Sequence, residues 1–270
     1  MRVSEDDETL PSLAELFSLS GRNAVVTGGA RGIGAACCVR LAEAGARVEV
    51  DDIDRGAAEA VAGGLGTPAC AVRVDVADSV SVSGLAERAR DERGGIDIWV
   101  NAAGIYPATP LLDLDEAEWD DVIRVNLRGT FLGAREAGRV MVARGGGGVI
   151  VNITSTAAYE AAGVGVSHYM ASKFAVRGLT KSLAVELGRE RIRVLAVAPT
   201  VTLTPGLEAR RSELEANGFA LAELAETLPL GRVALPDDIA RVVVFCASDL
   251  AGLMTGTTVV VDAGELAGHR

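Results

Sequence analysis

Thr27-Gly28-Gly29-Ala30-Arg31-Gly32-Ile33-Gly34 is the stretch that decides the fold of this chain. It follows the apolar run Asn23–Thr27, which reads as a strand, and opens the run Gly32–Ala44, which reads as a helix. Glycines at 28, 32 and 34 allow a tight turn and a close approach of main chain to a ligand. The first turn of a helix presents N–H groups with no partner of their own. A strand, a glycine loop and a helix N-terminus in that order make a seat for a pyrophosphate. The spacing departs from the commoner G-x-G-x-x-G, and an ordinary strand-to-helix turn is the plain alternative.

Outward from this loop the pattern repeats. Strands are expected at Arg47–Asp51, Ala69–Val74, Ile96–Asn101, Val149–Ile153, Arg193–Ala198 and Thr258–Asp262. Helices are expected at Arg55–Gly63, Ser79–Arg93, Glu116–Arg144, from His168 to about Arg189, and at Pro236–Ser248. Strands that alternate with helices predict an α/β fold, a doubly wound parallel sheet with helices on both faces. Residues 19–270 read as a single domain, with a small helical lid over 200–229, where no sheet element is evident. Residues 1–18 read as a flexible acidic extension that carries a short docking segment, Leu13–Phe17.

Composition narrows the function classes. The 270 residues are 49% hydrophobic with a net charge of -11, which argues against a nucleic-acid partner. No apolar run reaches membrane-spanning length, and Glu5-Asp6-Asp7-Glu8 stands where a secretory signal needs a basic start, so a cytoplasmic location is expected. Cys37, Cys38, Cys70 and Cys246 show no metal-ligand spacing and read as reduced, buried small hydrophobes; no metal site is expected.

Asp52 ends the second strand, 18 residues past Gly34. A carboxylate there accepts hydrogen bonds from adenosine ribose hydroxyls and repels a 2′-phosphate, which favours NAD over NADP. Asp51 is the alternative, and Arg31 or Arg55 reaching a 2′-phosphate would instead favour NADP. Asp75-Val76 ends the third strand, where it would flank the adenine; capping the next helix is the other reading of Asp75.

Tyr169 and Lys173 lie four residues apart in Ser167-His168-Tyr169-Met170-Ala171-Ser172-Lys173, hence on one face of a helix. A free phenol, with a pKa of about 10, transfers protons poorly at neutral pH. A nearby ammonium stabilises the phenolate and is expected to lower that pKa.

With these pieces assembled, residues 18 to 264 resemble the short-chain dehydrogenase/reductase family. The matching residues, in the family's order, are Thr27–Gly34, Asp52, Asp75, Asn101-Ala102-Ala103-Gly104, Asn126, Ser155, Tyr169, Lys173 and Pro199. The resemblance implies a Rossmann-type sheet and a hydride exchanged between a nicotinamide and a secondary alcohol or ketone. It implies Tyr169 as the general acid/base and Lys173 as the group that lowers its pKa and holds the nicotinamide ribose. Ser155 would orient the substrate oxygen, and Asn126 would position a water that links Lys173 to solvent. The cofactor would be held by Gly28, Arg31, Gly32, Ile33, Gly34, Asp52, Asp75, Val76, Asn101, Ala103 and Gly104, with Tyr169, Lys173, Pro199, Thr202 and Thr204 along the nicotinamide.

Three departures stand out. Ala102 replaces the family's second asparagine. The Ser155–Tyr169 stretch is one residue longer than in many members, which leaves Thr156 as an alternative for the serine role. Pro199-Thr200 replaces Pro-Gly, as in members that act on keto-sugars, polyols and small dicarbonyls. An NADP-linked carbonyl or 3-oxoacyl reductase is the second reading, and a cofactor-binding regulator without turnover the third. A homotetramer is expected through the two long helices, with Gly129, Gly133, Ala134 and Ala137 allowing close packing; packing within one subunit is the alternative. Ser155–Gly165, Tyr106–Pro110 and the lid would build the pocket for a small alcohol or ketone. Glu160 and Glu208 are its evident charges, with Arg210-Arg211 at the mouth. His168 reads as a surface or interface histidine, Trp99 as core, and Trp119 and Phe131 as core or subunit packing.

Overall fold

The apolar runs that flank the glycine loop form the centre of a parallel sheet. A computed structural model describes residues 10–209 and 221–268. The strands are β1 (Asn23–Thr27), β2 (Arg47–Asp52), β3 (Cys70–Arg73), β4 (Ile98–Asn101), β5 (Gly148–Ile153), β6 (Ile192–Pro199) and β7 (Thr258–Val261). They form one sheet in the order β3-β2-β1-β4-β5-β6-β7, and all pairs are parallel. β1 and β4 are buried at every position, as the near-continuous apolar sequence of a strand covered on both faces requires.

Helices α1 (Leu13–Phe17), α2 (Gly32–Glu43), α3 (Arg55–Gly63), α4 (Ser79–Arg93), α5 (Glu116–Val122), α6 (Gly129–Arg144), α7 (Ser167–Leu187) and α8 (Pro205–Ala209) are followed by helices Leu221–Thr227 and Pro236–Ala247. Two cores result. Cys37, Cys38 and Leu41 of α2 join Ile239, Val243 and Val244 on one face of the sheet. Leu85 of α4, Leu132 and Met141 of α6 and Trp99 of β4 form the other. Asp54, Asp78 and Asp115 cap α3, α4 and α5 through side-chain bonds to Ala57, Val80 and Glu118 N–H. Asp78 is therefore the cap before Ser79; Asp75 lies upstream and accepts from Ala77 N–H at 2.9 Å.

The extended helix expected over Glu116–Arg144 is interrupted by a π turn at Ile123–Arg128, which the hydrophobic periodicity did not reveal. Such turns insert one residue per bulge and recur at functional sites. Asn126 lies in it and is fully buried. The glycines of α6 serve the subunit's own interior. A methyl at Gly129 would meet Val76, and one at Gly133 would clash with Asn101 Oδ1 and stand 2.7 Å from Trp99 Nε1. Ala134 and Ala137 are fully buried in the same face. Packing within one chain thus accounts for these small residues.

The strand order reverses between β1 and β4, so the crevice at their carboxyl ends is the ligand position of an open α/β sheet. Residues 1–9 of the acidic extension and residues 210–220 of the expected lid, Arg210 and Arg211 included, lie outside the described residues. α1 is capped reciprocally by Ser12 and Glu15. It buries none of its residues fully, and Ala14 and Phe17 line a cleft of about 430 Å³ against α2 and helix Pro236–Ala247. No helix among the described residues is long and apolar enough to cross a membrane.

Gly133→Ala forces a methyl into the packed face between Asn101 and Trp99. We expect a loss of about 2–3 kcal/mol, read as a fall in Tm of roughly 4–10 °C.

Candidate active site

The loop after β1 is shaped by contacts that only glycine permits. Gly28 adopts φ +71°, and a Cβ there would stand 2.5 Å from Ala103 N in the loop after β4. A Cβ on Gly34 would collide with the carbonyl of Gly28. The two loops that end β1 and β4 are therefore in van der Waals contact. α2 starts from Arg31 with no side-chain cap, unlike α3, α4 and α5, so its first-turn N–H groups remain for a ligand. Thr204 crosses this loop, its Cγ2 placed 3.1 Å from where a Gly32 Cβ would be.

Asp52 fixes the far side. Its Oδ2 accepts from Ala30 N–H and its Oδ1 from Asp54 N–H, both at 3.1 Å. Each oxygen keeps a further lone pair for a ribose hydroxyl. Asp51, the alternative, is fully buried and faces away beside Glu49. Burial, and then the Glu49 charge, push its carboxyl well above the usual range. Arg31 pairs with Asp54 at 2.6 Å and Arg55 with Glu59 at 2.8 Å. This donor and acceptor set fits a dinucleotide: free helix N–H groups for the pyrophosphate, and a fixed carboxylate one strand away for the ribose. Asn101 behaves otherwise. Its side chain is committed to the interior, where it accepts from Trp99 Nε1 at 2.7 Å and donates to Asn152 Oδ1 at 2.9 Å. It braces the end of β4, and the cleft receives backbone from Ala103 and Gly104.

The end of β5 and the first turns of α7 bring together the reacting groups that the sequence pairs at a distance. Ser155 follows β5 and starts a short 3-10 turn, accepting from Ala157 N–H at 3.1 Å. It lies close enough to the Tyr169 phenol to draw that group's pKa downward. Thr156, the alternative to Ser155, is buried inside that turn. Lys173 is 6% exposed; its Nζ lies 5.6 Å from the Tyr169 ring centroid and donates to the Ile153 carbonyl at 2.9 Å. Burial pulls the Lys173 ammonium down to about 8. Burial also pushes the Tyr169 phenol above its ordinary value, against the lowering expected from the lysine, while the Ser155 hydroxyl works downward. The reason is that desolvation of the phenolate outweighs the local stabilisation in the polypeptide by itself.

Asn126 holds the loop after β4 by two bonds. Its Oδ1 accepts from Ile105 N–H at 2.8 Å, and its Nδ2 donates to the Ile105 carbonyl at 2.9 Å. The same Nδ2 reaches Ser172 Oγ at 3.2 Å. A Cβ on Gly104 would stand 3.3 Å from Asn126 Oδ1 and 3.7 Å from Lys173 Nζ, so glycine keeps the space between them open. Pro199 ends β6, with Thr202 bridged to Ala234 and Thr204 capping α8 through Leu207 N–H at 3.2 Å.

Sequence reasoning missed two cleft residues. Glu118 and Asp121 of α5 line a cleft of about 680 Å³ together with Gly104–Thr109 and Gly206. Their acidity resembled an ordinary solvated helix face, and only the tertiary fold swings α5 over the loop after β4. His168, expected at the surface, is fully buried with its Nε2 3.2 Å from Glu118 Oε1, because α5 packs over the start of α7. Trp119 and Phe131 are each 39% exposed, which excludes the core reading for both; Phe131 is covered by the Arg135 guanidinium at 5.3 Å. Cys37, Cys38 and Cys246 are buried, whereas Cys70 is half-buried between Glu49 and Arg93. Among the described residues no group of three or more His, Cys, Asp or Glu is placed to hold a metal ion.

A family model described as Enoyl-(Acyl carrier protein) reductase matches residues 28–265. The chain belongs to the short-chain dehydrogenase/reductase family. It is 43% identical over 252 residues to D-threitol dehydrogenase of Mycolicibacterium smegmatis, covering 92% of this chain and 94% of that protein. A solved short-chain type dehydrogenase/reductase from Mycobacterium marinum superposes with a TM-score of 0.85 at 36% identity, covering 94% of this chain and 98% of the other. A gluconate 5-dehydrogenase from Burkholderia cenocepacia J2315, solved with NADP and tartrate, superposes with a TM-score of 0.88 at 33% identity, covering 95% and 100%. This family member is an NAD(P)-dependent oxidoreductase of CH–OH groups.

A lysine whose pKa falls from 10.5 to about 8 on folding binds fewer protons folded than unfolded between those values. Native stability therefore rises as pH climbs from 8 to 10.5. Lys173→Met carries no buried charge, so at pH 7 we expect it to exceed the parent by up to about 3 kcal/mol. Urea melts between pH 7 and pH 10 should show that advantage shrinking.

Proposed function

We propose that the chain is an NAD-dependent dehydrogenase that interconverts a small neutral polyol, or a similar secondary alcohol, and its ketone. The observation that carries the reading is the Lys173 ammonium, withdrawn from water and 5.6 Å from the centre of the Tyr169 ring, with Ser155 at the end of β5 beside them. In oxidation, Ser155 orients the carbinol oxygen, and Tyr169 as phenolate takes its proton. In reduction, Tyr169 returns that proton. The bound nicotinamide supplies the hydride acceptor or donor at the carbinol carbon. Lys173 favours the phenolate and holds the nicotinamide ribose. Asn126, next to Lys173 across the space left by Gly104, holds the water that passes the proton onward.

Asp52 supports NAD, because two backbone N–H groups fix its carboxylate at the end of β2 beside the glycine loop. Both arginines that would favour a 2′-phosphate already pair with acids. NADP is the second reading: the Burkholderia relative was solved with it, and the Arg31–Asp54 pair is exposed and easily exchanged. For the substrate, Glu118 and Asp121 favour a neutral polyol over a sugar acid, and D-threitol dehydrogenase and sorbitol dehydrogenase are among the relatives that point the same way. The described residues 200–209 and 221–229 act as a lid over the single domain. The enzyme assembles as a homotetramer through the two long helices, a reading supported by the exposed Phe131, Val142, Phe174 and Val185.

Initial rates of cofactor reduction with threitol, other polyols and small secondary alcohols test the reaction. Tyr169→Phe should lose on the order of 10²–10⁴ in kcat; full activity in that variant would refute the mechanism. Asp52→Ser should shift the NAD-to-NADP ratio of kcat/KM toward NADP by about 10- to 100-fold, the worth of charge-assisted hydrogen bonds. A parent enzyme that prefers NADP would establish the second reading.

A further inference from the structure

Tyr106 belongs to a segment expected to build the pocket, and in the structure it meets three parts of the site. Its ring stands edge-to-face on Tyr169, with centroids 6.5 Å apart and planes inclined at 71°. It lines the 680 Å³ cleft with Glu118 and Asp121. Its hydroxyl lies against the lid: a methyl on Gly206 of α8 would collide with Tyr106 Oη.

The loop that carries Tyr106 is pinned on both sides. Asn126 grips Ile105 by its N–H and its carbonyl, and Thr109 N–H donates to Gly165 O at 2.9 Å. Tyr106 is therefore a fixed wall, 38% exposed, and it lines the cleft. A substrate whose oxygen reaches Tyr169 must lay its adjoining carbons along that wall. The distance from the Tyr169 ring to the lid contact at Gly206 is then spanned by one phenol, which limits the chain that fits beneath α8.

We propose that Tyr106 is the specificity-determining residue of this reaction, the wall that holds a short, neutral polyhydroxy alcohol beside Tyr169 and sets its length through contact with Gly206. The proposal rests on the dehydrogenase reading above. The phenol face packs against the C–H side of a polyol, while Glu118 and Asp121, held by His168 at 3.2 Å and by Arg124 at 2.7 Å, keep their other carboxylate oxygens as acceptors for its hydroxyls. Gly206 is required because any side chain there displaces either the phenol or the lid.

The test is steady-state oxidation of unbranched neutral polyols of increasing length, with cyclohexanol as a bulky secondary alcohol, at saturating NAD and NADP. Parent, Tyr106→Phe, Tyr106→Ala and Gly206→Ala are compared, with Tm and cofactor Kd as controls for folding. Tyr106→Ala should raise KM for the preferred polyol at least tenfold with kcat changed less than threefold, and should move the ranking toward longer or bulkier alcohols. Tyr106→Phe should keep the ranking, and Gly206→Ala should penalise the longest substrates most. Unchanged ranking in Tyr106→Ala, or one common factor across all alcohols, overturns the proposal and leaves the activity reading intact. A parent enzyme that oxidises none of the alcohols with either cofactor overturns both.

Discussion

The Lys173 ammonium, almost wholly withdrawn from water with the Ile153 carbonyl 2.9 Å away, is the constraint on which the site depends. Removing a charge from water is unfavourable, and here the lysine responds by titrating near 8. The surroundings must therefore be rigid enough to keep it there. β5 delivers the Ile153 carbonyl, and Thr154 Oγ1 fastens the strand end to the Lys173 carbonyl at 3.0 Å. α7 sets Tyr169 one turn earlier on the same face. Asn126 and Ser172 close the far side, the former from the π turn that interrupts the long helix.

The second organising contact is between glycine backbones. Gly28 against Ala103 and Gly34 against Gly28 bring the loops after β1 and β4 together at the point where the strand order reverses. Phosphate seat and reaction centre are thereby set by the same piece of main chain. Gly104 leaves the gap beside Lys173, and Ile105, next in sequence, is gripped by Asn126. Displacement at either loop is felt at the other, since neither contact has slack. Asp52 belongs to this unit through Ala30, so the group that reads the ribose is tied to the loop that holds the pyrophosphate.

Much of this was legible in the residues. Strand β1 and helices α3 and α4 fall where hydrophobic periodicity and turn residues put them, because parallel strands buried on both faces and Asp-capped helices leave strong local signals. What misled was ambiguity between local and tertiary causes. Small residues on α6 suggested an intersubunit face, while Gly133 is small because Asn101 and Trp99 press on it. Asn101 lies in the cofactor-loop motif, and its side chain braces β4 against β5. His168 looked like a polar surface residue, and Glu118, 50 positions upstream, covers it.

The sequence by itself determined the alternation of elements, the glycine loop and the pairing of Tyr169 with Lys173 on one helical face, since each is a local consequence of residue type and spacing. The tertiary structure decided what depends on residues far apart in the chain: the burial that raises Tyr169 and lowers Lys173, the inward turn of Asn101, and the acidic cleft wall of α5. It also decided that Tyr106 stands between Tyr169 and Gly206. Desolvation and steric contact are properties of the packed interior, and no spacing rule along the chain encodes them.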